Sequence, residues 1–470
     1  MKKPLLLIIV IIQFLPPLFA QEVEEKKKNR KAFSMLRAEE NYRFLGDEAL
    51  EEQEFWDPIK FIPFNTSKSI YLTLGGEFRP RFEYFKNNLW GEAENSDIAF
   101  YSQRLAAHAS LSVSHYLRFY GELYHGMLSK TEKEYTQDDA LDLFQGFVEF
   151  KFPIKEQNLL SLRLGRQELS FGSSRLVGIR EGPNLRRSFD AGRLIYSTNK
   201  IRVEGFLASE VHVNPEEGAF NNRRNEDMEF AGIYGRVDHN GKIPGHTEIY
   251  FYHFNIEQAA FSDAEGKENR QTIGLRRWGQ IGRSFVFNTE LMYQMGSLED
   301  KSINAWALEL DYHWLIHNRR NLKSLGLKLD YVSGDRNAGD NQLQTFNPLF
   351  NNPAYFGLLG NLAPMNLIDI HPSVLWEFNE NIEFILDWDI YWRASKEDGL
   401  YAPPRFLSRE GQEAQARFIG HQAGFELSYA INRHLNWKTE VSYFMTGDFI
   451  KETGEHKNIF HLATTFSYKF

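Results

Sequence analysis

The sequence predicts an all-β fold, a transmembrane antiparallel β-barrel of about 18 strands with long extracellular loops and short periplasmic turns. Three observations predict it. From Ile70 onward, apolar and polar residues alternate with period two, as strands with one apolar and one wet face require. The connections between these segments alternate between long and short. The chain ends on an amphipathic segment, HLATTFSYKF, whose last residue is the aromatic Phe470.

Composition agrees. The chain holds 39 Phe, 21 Tyr and 9 Trp, yet its mean hydropathy is −0.47. Bulky apolar surface on a polar average is what alternating strands produce. Cys is absent, which excludes a disulfide framework, a thiolate metal site and a lipoprotein anchor. A net charge of −9 argues against a nucleic-acid partner, which would need a basic footprint.

Residues 1–20 read as a secretory signal peptide: Lys2 and Lys3 form the positive end, Leu5 to Leu15 the apolar region, and Ala20 the last residue removed, with Leu18 where a small residue is usual. Pro16 and Pro17 end an apolar run shorter than the roughly 20 residues a spanning helix needs, and no later segment approaches that length. Residues 21–65 are charge-dense and lack alternation. They are expected to form a periplasmic arm, partly helical or disordered, either a solvated linker or a segment packed under or inside the barrel. Residues 66–470 are expected to form the barrel.

The strands can be read one by one. In the first, Ile70, Leu72, Leu74, Phe78 and Phe82 face one way and Glu77, Arg79, Arg81 and Glu83 the other. Leu105, Ala107, Ala109 and Leu111 oppose Arg104, His108 and Ser110. Trp306, Leu308, Leu310, Tyr312 and Trp314 oppose Glu309, Asp311 and His313; Phe384, Leu386, Trp388, Ile390 and Trp392 oppose Asp387, Asp389 and Arg393. Charges so regular cannot lie unpaired in a dry core, and a water-filled lumen is expected to receive them. Eighteen segments fit, beginning near residues 70, 99, 116, 140, 159, 190, 201, 228, 246, 269, 283, 302, 322, 366, 382, 417, 434 and 458. Of the nine connections that should be extracellular, only 297–301 is not longer than every connection that should be periplasmic.

The strongest basic segment of this acidic chain runs from Leu159 to Ser197, with seven arginines against Glu168, Glu181 and Asp190. It reads as strand, Gly/Ser/Pro-rich loop and strand. The stretch GRQELSFGSSRLVGIREGPNLRRSFDAGRLIYS (Gly165–Ser197), with GGEFRPRFEYF (Gly75–Phe85) and TFNPLFNNPAYFGLLGN (Thr345–Asn361), resembles the alginate export family of outer-membrane channels. The resemblance covers most of the chain from about Lys60 to Phe470. It implies an eighteen-stranded barrel in a Gram-negative outer membrane, enclosing an arginine-lined conduit for an acidic, alginate-like exopolysaccharide.

Parity selects the arginines of such a conduit. Leu160, Leu162 and Leu164 set even positions outward, so Arg163 faces the lumen. With Leu169 and Phe171 facing lipid, the phase flips at Gly165; a glycine bulge there brings Arg166 inward too. Arg79, Arg81, Arg104, Arg118, Arg202 and Arg393 face inward by the same reading, as does Arg193 if Leu194 and Tyr196 face lipid. Arg175, Arg180, Arg186 and Arg187 fall in the third extracellular loop, placed to enter the bore or guard its mouth. Arginine suits a uronate because its planar fork binds carboxylate bidentately and keeps its charge. A conduit also needs contacts weak enough to release. For any one arginine the structural role is pairing with an inward acid such as Glu77, Glu83, Glu122, Glu204, Glu309, Asp311, Asp330, Asp387 or Asp389.

The expected partners are an anionic polysaccharide or small anions, outer-membrane lipid, and periplasmic secretion partners; no cofactor is expected. Asp335, Asn337 and Asp340 in DRNAGDN could hold Ca²⁺ or form a plain polar turn. Trp306, Trp314, Trp388 and Trp392 read as interfacial girdle. A porin-like uptake channel for small anions or acidic oligosaccharides fits the same barrel. An outer-membrane enzyme would need a Ser/His pair beside His108 or His253, for which no partner spacing exists, and a soluble secreted β-protein acting on carbohydrate would not need the terminal aromatic strand.

Overall fold

The computed structural model describes residues 32–470, apart from 47–53, 93–94, 130–133, 156 and 353–355. The proposed signal peptide and much of the proposed arm lie outside the described residues. Contacts divide the chain at Glu40/Asn41 into two units. In the first, Arg37 opens a 3₁₀ turn (Arg37–Glu39), pairs with Glu40 at 3.0 Å and lies over the Phe33 ring.

The second unit is a closed antiparallel barrel of eighteen strands: β1 (Ile70–Lys86), β2 (Ile98–Val113), β3 (Leu117–Leu128), β4 (Asp139–Lys155), β5 (Asn158–Gln167), β6 (Phe189–Ser197), β7 (Ile201–His212), β8 (Met228–His239), β9 (Gly245–Ala260), β10 (Glu265–Ile281), β11 (Phe285–Leu298), β12 (Lys301–Leu315), β13 (Leu322–Val332), β14 (Leu367–Asn379), β15 (Ile382–Arg393), β16 (Phe418–Ala430), β17 (Leu435–Thr446) and β18 (Ile459–Lys469). Each pairs with its sequence neighbours, and β1 closes on β18 from Glu77↔Lys469 to Lys86↔Phe460. Closure removes the unpaired edges that hydrocarbon would not tolerate. Beyond β18, Phe470 exchanges backbone hydrogen bonds with Gly76. Its ring stacks on Trp56, centroids 4.4 Å apart.

The lipid face is apolar because even or odd positions within each strand are, and its residues are well exposed: Leu207 72%, Ile249 61% and Ile233 60%. Among the described residues no helix is long and apolar enough to cross a membrane. Two connections differ from expectation. The connections read at 257–268 and 297–301 shrink to 261–264 and 299–300 because β9 to β12 run on as extended hairpins. The charges that suggested loop are cross-strand partners, as in Lys267–Glu257 at 2.6 Å.

The upper lumen is not an open water channel. Residues 168–188 (after β5) and, of the connection after β13, residues 333–352 and 356–366 fold inward, and the two connections pair with each other: Gly178 N donates to Phe350 O (3.0 Å) and Phe350 N to Leu176 O (2.8 Å). Phe171 and Phe350 carry these loops into a cluster of wall aromatics. Phe171 lies 5.1 Å from both Phe206 and Tyr234, and Phe350 4.9 Å from Phe230 and 5.0 Å from Phe189. Each such aromatic pair contributes about 0.5–1.5 kcal/mol beyond burial.

This packing corrects the reading of Gly165 and Arg166. Leu169 and Phe171, 0% and 5% exposed, belong to the interior core and not to the lipid face. The β5 register is unbroken through Gly165 against both neighbours, so Arg166 lies on the face opposite Arg163. There it holds Asp190 at 2.9 Å and the carbonyls of Leu143 and Asn222. The irregularity lies one strand away: Glu122↔Gln145 is followed by Leu123↔Leu143, leaving Phe144 of β4 as the extra residue. Gly165 is still required, since its φ is +126° and a Cβ would stand 2.3 Å from the Gly146 carbonyl oxygen. Gly165→Ala should therefore destabilise the barrel by about 1–3 kcal/mol, measured by urea unfolding in lipid vesicles; an unchanged midpoint would refute this.

Candidate functional site: a charge-divided lumen

Strand register sets like charges side by side. On one half of the barrel Arg79 faces Arg104, Arg163 faces Arg193, and Arg202 faces Arg236 as direct cross-strand partners. On the other half Glu290 faces Glu309, Glu309 faces Asp330, and Asp330 faces Asp369. Opposed like charges destabilise a sheet, so this division works against folding and needs counter-charges from elsewhere.

The basic wall finds them in shared carboxylates and in the inward loop. Arg118 and Arg163 both hold Glu149, at 3.0 and 2.7 Å. Arg193 and Arg202 both hold Glu204, each at 2.5 Å. Arg81 lies between Glu83 (3.0 Å) and Glu440 (2.8 Å). Arg79 donates to the carbonyls of Gly182 and Pro183 in the loop. Arg104, fully buried, donates to Glu181 of the same loop at 2.6 Å and to Glu77 at 3.3 Å.

All four loop arginines enter the bore and are buried. Arg186 bridges Glu168 and Glu181 at 3.0 Å each. Arg187 donates to Glu210 (2.8 Å) and to the carbonyl of Phe350 (2.5 Å), fastening one inward loop to the other. Arg180 donates to the Leu185 carbonyl at 3.4 Å, and burial lowers its pKa to about 10. Arg175 crosses to the acidic wall, where it meets Glu309 and lies 3.8 Å from Asp330.

Arg393 has a different role from the others. It is fully buried at the top of β15 and donates to the carbonyls of Lys396, Asp398, Gly411, Ala414 and Ala416, closing the loop 394–417. A guanidinium is suited to this because its five donors form a fixed fork. Asp335, Asn337 and Asp340 make turn hydrogen bonds, Asn337 N to Asp335 at 3.3 Å and Gln342 N to Asp340 at 2.7 Å.

Sequence reading passed over Arg236, Arg270 and Arg276. Arg276 holds Glu248 at 2.9 Å and Asn288 at 2.7 Å; Arg270 holds Glu268 and Gln294. Their parity was readable, as in Tyr234 and Arg236 alternating with Ile233, Gly235 and Val237. It also missed the group Asp369, His371 and Asp389, whose ligand atoms all lie within 4.8 Å of one another.

A family model described as "Alginate export" matches residues 70–462. The chain belongs to the alginate export family. No curated protein sequence matches it. Among solved structures it is similar to three Pseudomonas aeruginosa proteins. The first is OccK2 (OpdF) in complex with glucuronate (14% identity, 85% of this chain and 98% of that one, TM-score 0.54). The others are OpdK with vanillate (11%, 84% and 98%, 0.54) and OccK11 (OpdR) (11%, 85% and 96%, 0.53). At these identities the likeness shows the barrel fold. Family and fold together make this an outer-membrane channel, as the alginate export resemblance implied.

The docking of the family member's inward loop depends on Glu181. Burial opposes its ionisation, but the guanidinium groups of Arg104 and then Arg186 outweigh burial and hold its carboxyl well below the usual carboxylate range. A depressed folded pKa gives stability that is present above the unfolded pKa and lost only as pH falls through the folded value. The loop should therefore stay docked from neutral pH down through pH 4. Glu181→Gln should loosen it at pH 7, seen as added open-channel noise in single-channel recordings; equal noise in both proteins would refute the assignment.

Proposed function

We propose that this channel conducts carboxylate-bearing sugars, uronates as monomers or short chains, along its arginine wall. The observation that carries this reading is the shared counter-ion. Cations gather on shared glutamates along this wall: Arg118, Arg163 and Lys151 on Glu149, and Arg193 and Arg202 on Glu204. An entering carboxylate can exchange with a glutamate that is already shared and pass on to the next arginine, as conduction requires. Arg202, whose side chain is 43% exposed, offers such a step to solvent.

The packed inward loops favour small solutes over a thick polymer. The family match supports a second reading, export of an acidic, alginate-like polysaccharide, for which residues 168–188, 333–352 and 356–366 would have to withdraw from the bore. Both readings share the arginine wall and require a conduit without catalytic chemistry. The glucuronate bound to OccK2 supports the choice of a uronate as the probe.

In planar bilayers under a KCl gradient the reversal potential should show anion preference. Neutralising Arg163, Arg193 and Arg202 together should lower the anion-to-cation permeability ratio several-fold; cation selectivity in the unmodified protein would overturn the reading. In proteoliposomes glucuronate should enter faster than glucose. Passage of long polyuronate, with no advantage for the monomer, would favour the export reading instead.

A further inference from the structure

On the acidic wall, Asp369 and His371 point inward from β14, two residues apart and so on one face. Asp389 points inward from the paired strand β15. Asp369 is 1% exposed and Asp389 is fully buried. Neither carboxylate oxygen of Asp369 has a hydrogen-bond donor, and its direct partner across the sheet is another acid, Asp330. A buried carboxylate in that position needs a cation or a proton.

His371 is set to help supply the first. Its Nδ1 faces the acids, 2.5 Å from Asp389 Oδ1 and 4.0 Å from Asp369 Oδ2. Its Nε2 faces Asp387 at 3.6 Å. A carboxylate behind the far nitrogen is the usual means of fixing a ligand histidine, because it keeps the proton on Nε2 and turns the Nδ1 lone pair toward the metal. The loop segment Phe356–Gly357 covers the group. Tyr391 Oη donates to the Phe356 carbonyl at 2.9 Å, and a Cβ on Gly357 would stand 3.2 Å from Asp389 Oδ2.

We propose that Asp369, His371 and Asp389 form a divalent transition-metal site of the Zn²⁺ class in the barrel wall. One imidazole nitrogen and two carboxylate oxygens are ligand types that such ions take, and three protein ligands leave a fourth position open. Ca²⁺ prefers an all-oxygen set of six or more ligands. The three ligand atoms need only small rotamer shifts to reach the separations of about 3.3 Å that Zn–N and Zn–O bonds of about 2.0–2.2 Å impose. The bound ion offsets the run of opposed acids and ties the wall beneath the covering loop. The site does not rest on the anion reading of the opposite wall.

The test uses the full chain refolded in detergent and stripped with a chelator, titrated calorimetrically with Zn²⁺ and spectroscopically with Co²⁺. One ion per chain is expected, with Co²⁺ showing the ligand-field bands of a low-coordinate site. Losing a direct ligand should weaken binding at least as much as losing an outer-shell partner, about tenfold or more. Asp369→Asn and His371→Gln should each do so, while Asp335→Asn leaves binding unchanged. Should either variant fail to fold by circular dichroism, X-ray absorption of the Zn²⁺-loaded natural chain decides. A single imidazole with oxygen donors supports the site; two or more imidazoles mean a surface histidine site and overturn it. Absence of saturable one-per-chain binding, or binding untouched in both folded variants, also overturns it and leaves a proton as the counter-charge.

Discussion

The interior depends on the contact between Arg104 and Glu181. Arg104 is fully buried on a wall where its direct cross-strand partner is Arg79, a pairing that the sheet alone cannot stabilise. Glu181 brings the missing negative charge on an inward loop, and Arg186 on the same loop holds that carboxylate from the other side. The loop is thus the counter-ion of the wall, and the wall fixes the loop. Removing either partner would strip a buried charge of its shortest contact, leaving Arg104 with Glu77 at 3.3 Å or Glu181 with Arg186 at 3.0 Å, which is destabilising. The aromatic cluster around Phe171 and Phe350 then completes the packing that the charges begin.

The barrel was legible in the sequence because its physics is local. Lipid on one side and polar groups on the other impose period two on every strand, and all but one strand begins within two residues of the position the alternation indicated, β10 starting four earlier. The interior was less legible because two apolar environments look alike in one dimension. Leu169 and Phe171 read as lipid-facing, yet they pack on aromatics inside the bore. That inversion displaced Arg166 to the wrong face. Arg393 shows another limit: parity placed it inward, but only the folded loop 394–417 reveals that backbone carbonyls occupy its donors.

Contacts between strands were legible only in part. The spacing of Asp369 and His371 marks one face of one strand, but Asp389 joins them through the β14–β15 register. The run of opposed acids from Glu290 to Asp369 likewise requires three registers at once. Register is set by turns and bulges such as Phe144, which composition does not announce. Motif searching within a single segment would miss such a group.

The two walls make the same arrangement with opposite sign. On the basic side two arginines share one carboxylate; on the acidic side Arg175 is shared by Glu309 and Asp330. The two walls thus carry opposite charge, and charges in a low-dielectric interior interact more strongly than bulk water would allow. A fully paired lumen would be more stable and would bind nothing in passing. A wholly unpaired one would not fold. Shared counter-ions lie between these limits, because each guanidinium keeps a partner that lets it stay buried while holding that partner in common with a neighbour. Since Arg175 and Glu181 belong to one loop, its docking supplies counter-charge to both walls together.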